Sequence, residues 1–246
     1  MIKPMPWHMV PATPVIEALP KFQWKRVGTD SAAADAAALM VYVALNFAVE
    51  GDLERLGDGF LEPRLQARAR LSYDRLQEAT SLSRSLVTQG LARLVERHLV
   101  TADGSTQDRT YLIQWPKYHF FKLPCRAIVR NGVIQPFAGL NMRAKFDLYA
   151  LKLYLYLASI RSGKASFSMA AYETIYRATG IPERDIRRAI SVLVGCGLLS
   201  GVDRQHRQVA ARTNEPNKYH LRGCEDFFAG RQGGTPMRES IAGIAT

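Results

Sequence analysis

Ser83, Arg84, Ser85, Thr88, Gln89 and Arg93 crowd one short stretch of the chain. Val87, Leu91 and Leu94, spaced four and three apart, predict the buried stripe of a helix, which turns Ser83, Arg84, Ser85, Thr88 and Gln89 outward. Those outward residue types can read nucleic-acid bases. Arg bridges guanine O6 and N7, and Gln pairs with adenine N6 and N7. Ser83 is also a good helix N-cap, a role that competes for its hydroxyl. The face carries no acid before Glu96, which suits a phosphate-lined groove. A second set comprises Arg184, Arg187 and Arg188, opposite a stripe of Ile186, Ile190 and Leu193. Here Glu183 and Asp185 follow Pro182 and favour a positive helix start, and either can accept from cytosine N4. A third set, Arg109, Arg204, Arg207, Arg212 and Lys218, lies in polar, turn-rich stretches with His206 and suits phosphate contact.

Catalytic patterns do not appear. Ser162-Gly163-Lys164 lacks the upstream glycine of a phosphate loop and follows an expected helix instead of preceding one. His-Glu-x-x-His and Gly-x-Ser-x-Gly are missing, and His220 with Cys224 is a poor zinc pair because His220 is expected in a strand. A non-enzyme without metal or cofactor is expected.

The elements that must position these side chains are written twice. Tyr73–Val100 lies over Tyr172–Leu199 without a gap: Tyr73 on Tyr172, Ala79-Thr80 on Ala178-Thr179, Leu94-Val95 on Leu193-Val194. Each copy predicts a short helix, a tight turn and a longer amphipathic helix. Each then continues through a polar loop to an apolar run, Thr110–Ile113 in the first and Lys218–Leu221 in the second, which predicts a β-hairpin. Upstream of each lies an apolar helix, Ala32–Val49 and Met142–Ile160, with Leu39, Tyr42 and Leu45 matching Leu151, Tyr154 and Leu157. Neither run reaches the roughly 20 apolar residues of a membrane span.

The spacing Tyr-x-x-Leu-x-x-Ala-Thr-x-Leu-Ser-x-Ser-x-Val, continued by Leu91, Leu94 and Leu99-Val100, resembles the winged-helix consensus of bacterial regulators and of phage and plasmid replication proteins. The likeness covers about two thirds of the chain. It implies a mainly α fold with small β-hairpins (α+β), built as two tandem winged-helix domains whose second helices enter the major groove. Phe121-Lys122-Leu123-Pro124 and the turn Ala178–Ile186 are similar to replication initiators. The resemblance therefore implies a double-stranded DNA partner and, in such initiators, homodimerisation and contact with replication or transcription machinery. A transcriptional repressor and a winged-helix protein-interaction adaptor are the alternative readings.

Composition agrees. The 246 residues carry 33 Lys and Arg against 22 Asp and Glu, a net charge of +11. This balance favours a polyanionic partner, nucleic acid before membrane. Three widely spaced cysteines, Cys125, Cys196 and Cys224, argue for a reducing compartment, and a cytoplasmic protein is expected. The division is a Pro-rich arm (1–25), a first domain (26–113) with an Arg-rich insertion at 51–70 lacking a counterpart, a strand-bearing linker (114–141), a second domain (142–223) and a tail (224–246). Each domain is expected to have its own core. Five prolines in residues 1–20 argue against a helix there.

Overall fold

The apolar runs, caps and turns of the chain produce an α+β fold. The computed structural model describes residues 2, 5–50, 55–56, 60–61, 66–103, 109–115, 119–163, 165–203 and 216–225. In chain order the elements are β1 (Trp7–Pro11), α1 (Ala12–Ala18), α2 (Ala34–Phe47), β2 (Val49–Glu50), β3 (Arg55–Leu56), β4 (Phe60–Leu61), β5 (Gln66–Arg70), α3 (Tyr73–Thr80) and α4 (Arg84–Glu96). The hairpin β6 (Val100–Asp103) and β7 (Thr110–Gln114) follows, then β8 (Phe120–Pro124), β9 (Val129–Arg130) and β10 (Val133–Ile134). The chain continues with α5 (Lys145–Ile160), β11 (Ser168–Ala170), α6 (Tyr172–Thr179), α7 (Glu183–Cys196), β12 (Leu199–Asp203) and β13 (Asn217–Leu221). All strand pairs are antiparallel, in sheets ordered β2-β5-β7-β6, β11-β13-β12, β1-β8, β9-β10 and β3-β4.

The repeated sequence gives repeated elements: α2, α3, α4 and the β6–β7 hairpin in one half, α5, α6, α7 and the β12–β13 hairpin in the other. Ser72 caps α3 by accepting from the Arg75 N–H, and Ser83 caps α4 by accepting from the Leu86 N–H, both at 3.3 Å. The turn between the paired helices needs a left-handed residue in each copy. Gly180 supplies it after α6 (φ 69°) and Ser81 after α3 (φ 58°).

Three expectations are corrected. The stretch at 51–70 is not wholly without a counterpart, because β5 pairs with β7 just as β11 pairs with β13. Ala69 stands opposite Tyr111, and Ser168 opposite Tyr219. β11 is short and lacks aliphatic alternation, so the strand period gives no signal there. The N-terminal arm does contain a helix: α1 starts after Pro11 and accommodates Pro14 in its first turn, where the missing N–H would have no intrahelical partner. Finally, the halves do not have separate cores. Val10, Leu39, Leu91, Leu123, Leu151, Ile190 and Leu221 belong to one continuous cluster of buried residues. Every residue of α2 is buried, because α4 covers one side of it and α5 another.

The described residues of the segment at 114–141 are part of this body. Its strand β8 pairs along the whole of β1, with Trp7 opposite Pro124 and Pro11 opposite Phe120. No helix among the described residues is long and apolar enough to cross a membrane.

Candidate nucleic-acid interface

The first half of α4 presents Arg84, Ser85 and Thr88 to solvent, while Val87, Leu91 and Leu94 point inward. The predicted stripe is thus the buried one. Arg84 is 66 % exposed, lies 5.3 Å from the centre of the Tyr73 ring, and meets Asp74 Oδ1 at 3.2 Å. Arg109, just before β7, donates to the Tyr73 hydroxyl at 2.8 Å. Tyr73 therefore holds the start of α4 and the base of the hairpin side by side. Thr88 donates to the Arg84 carbonyl at 3.0 Å, which leaves its methyl group outward. Ala92 and Val95 continue the exposed face.

Two expected readers are otherwise engaged. Gln89 accepts from the Ser31 N–H at 2.9 Å and donates to Ser85 Oγ at 3.1 Å. Both ends of its amide thus tie the approach to α2 onto α4. Arg93 is 8 % exposed and bonded to Asp30 (2.8 Å) and Asp35 (3.6 Å), with the exposed Glu96 (2.8 Å) covering it from the surface. It is a buried structural cation, not a groove contact. Arg97 joins it, donating to Asp35 at 2.9 Å and lying 4.5 Å over the Phe22 ring. Burial pushes the Asp35 carboxyl up, against the pull of the Gln23 N–H and these arginines. Asp35, an acid inside an Ala-rich apolar run, is the sequence signal that such a cation must exist.

On α7, Arg184, Arg187 and Arg188 are all exposed. Arg188 lies 4.4 Å over the ring of Phe146, in the first turn of α5. Asp185 is turned away from the face and meets Lys145 at 2.8 Å. Its charge is thereby offset, and Glu183 remains as the exposed acid of that turn. On the second hairpin, Lys218 sits 5.2 Å from the Phe167 ring centre, and His220 meets Asp203 at 3.0 Å. Arg204, Arg207 and Arg212, with His206, lie outside the described residues.

The residues missed by sequence reasoning are the supports: Tyr73, Asp74, Lys145, Phe146 and Phe167. Each lies outside the element that carries its partner, so helix periodicity could not reveal it. Arg68 and Arg70, read only as part of an Arg-rich insertion, are exposed on β5 opposite Leu112 and Thr110. No protein family, curated protein or solved structure matches the chain.

Proposed function

We propose that this chain is a sequence-specific double-stranded DNA-binding protein that uses two winged helix-turn-helix units, and that it serves as a replication initiator or copy-control regulator of a plasmid, phage or mobile element. The carrying observation is the start of α4, where Arg84, Ser85 and Thr88 are exposed and Tyr73 contacts both Arg84 and Arg109. Small hydroxyl residues let a helix backbone approach base edges, and Arg84 supplies a bidentate donor for guanine. The three exposed arginines of α7 form a second and more cationic contact, suited to phosphates. The net charge of +11 supports a polyanionic partner. The continuous core supports the initiator role, because two reading helices on one frame suit paired sub-sites.

Selection of bound DNA from a random pool, followed by footprinting, tests this reading. The expected site has two sub-sites, about 10 base pairs apart between centres if both helices lie on one DNA face. Inserting half a turn between them abolishes tight binding. Affinity falls with salt, with a slope of about −0.9 per phosphate contact. Footprints on iterated repeats support the initiator role, and a single operator over a promoter points to a repressor. An absent footprint, or affinity that does not change with salt, overturns the DNA-binding reading.

A further inference from the structure

A recess of about 170 Å³ lies away from the exposed start of α7, at that helix's other end. Its walls come from three parts of the chain: Ile128 and Arg130 around β9, Gln135 and Pro136 after β10, and Cys196 with Arg222 at the ends of α7 and β13. Both arginines are exposed, and turn geometry fixes the backbone from which each reaches the recess. Arg130 sits on a hairpin whose turn, Asn131-Gly132, has positive φ at both residues (52° and 80°), the rigid two-residue type. Arg222 precedes Gly223, which has φ 85° and packs so closely that a Cβ there would come 2.5 Å from the Ala127 Cβ. Arg222 also lies over Gly197, the left-handed residue that ends α7, with its guanidinium 3.3 Å from where a side chain would begin.

Among the described residues, no carboxylate lines the recess. Neither Arg130 nor Arg222 forms a salt bridge with a described residue. Glu225, the nearest acid in sequence, turns back to accept from the Gly223 N–H at 3.3 Å. The neighbouring backbone donors are also spent: the Gln135 N–H on the Ile128 carbonyl, the Gly197 N–H on Leu193, the Arg222 N–H on Leu198. Among the described residues, the nitrogen donors on the lining side chains are therefore two guanidiniums and one carboxamide. Cys196 donates to the Leu193 carbonyl at 3.5 Å and forms part of the floor.

We propose that this recess is a binding site for a small oxyanion, a phosphate or a short carboxylate, clamped between Arg130 and Arg222. Guanidinium forks match both oxyanions bidentately. The volume is below the roughly 300–1,000 Å³ of drug-sized pockets, which suits a small anion. A bound anion joins the β9–β10 hairpin to the end of α7 and stiffens that helix's seat. This inference does not rest on the DNA-binding reading.

Inorganic phosphate and succinate are titrated separately into the full chain at constant ionic strength held with chloride, with calorimetry and the unfolding midpoint as readouts. Saturable binding of either is expected, and which one binds more tightly identifies the source of the oxyanion. Arg130→Gln and Arg222→Gln each weaken it about tenfold, the loss of one charge-assisted contact. Arg222→Lys keeps the charge, loses the fork and falls between. Circular dichroism checks that each variant is folded, and the single changes at exposed positions keep the test open if the double variant is not. A response equal to that of chloride overturns the proposal, as does full binding by both Gln variants. Loss of DNA affinity in those variants without any binding of free anion also overturns it, because the recess is then a DNA backbone contact.

Discussion

Arg84 is held from two sides, by the face of Tyr73 and by the carboxylate of Asp74. Asp74 is 80 % exposed, and such exposed pairs are worth only about 0.2–1 kcal/mol. The acid nevertheless opposes any phosphate near Arg84. Asp74→Asn is expected to tighten DNA binding by up to roughly fivefold, with little change in stability. Fluorescence anisotropy at fixed salt measures it, and weaker binding by the variant counts against Arg84 as a reader. Arg93 makes the opposite case. Removing it leaves Asp30 without its cation at a half-buried position and leaves Asp35 to Arg97 alone. Arg93→Ala should cost about 1–3 kcal/mol of stability, the range for partners left without a charged donor. Chemical denaturation reads this loss, and a variant as stable as the parent would return Arg93 to the groove.

At the scale of elements, α4 reaches its place by unusually close approach to α2. A Cβ on Gly90 would come within 2.9 Å of the backbone at Ala37 and Ala38. In an open helix, Gly→Ala gains roughly 1 kcal/mol. Here the neighbour is backbone and cannot swing aside, so overpacking of about 1–3 kcal/mol wins. Gly90→Ala is expected to lower the unfolding midpoint and to shift the α4 face relative to the hairpin. The repeat supplies a control, because the matching position on α7 already carries a side chain, Ala189. There Ala189→Gly should cost about 1 kcal/mol through propensity and lost packing. A stabilised Gly90→Ala variant would show that α2 and α4 are farther apart than described.

At the scale of the whole molecule, the halves meet across α2 and α5, with Lys152 buried where α5 faces the N-terminal segment. Lys152 is 2 % exposed and donates to the Phe22 carbonyl at 3.1 Å. Desolvation pushes its ammonium from 10.5 down to about 8, although the Asp35 charge pulls the other way. Between these values the unfolded chain binds more protons than the folded one, so stability rises with pH from about 8 to about 10.5. Below that window both states are charged, and the folded state bears the full penalty, about 3 kcal/mol. The matching residue in the first copy is the buried Met40. Lys152→Met should therefore raise stability at pH 7 and flatten the rise above pH 8. Its gain is smaller than the full penalty, because the Phe22 carbonyl loses its donor. Denaturation midpoints measured from pH 7 to 10.5 test this, and an unchanged slope in the variant removes Lys152 as its cause.

The repeat, the buried stripes, the Ser83 cap and the outward faces of α4 and α7 were legible in the sequence because each depends on neighbours within a turn or two. Helical period and capping are local physics. The hairpins were legible for the same reason. What only the tertiary structure decided is who meets whom across the chain. Arg93 looked like one more basic residue on a basic helix, and it became a buried cation because Asp30, 63 residues away, and Asp35 face it. Gln89 was claimed by Ser31, and the pairings of β5 and β11 were decided by distant strands. The single core has the same origin. The paired helices of each repeat need only one buried stripe, but α2 and α5 are buried almost all round, and they stay dry because α4 covers α2, α7 covers α5, and the two pack on one another.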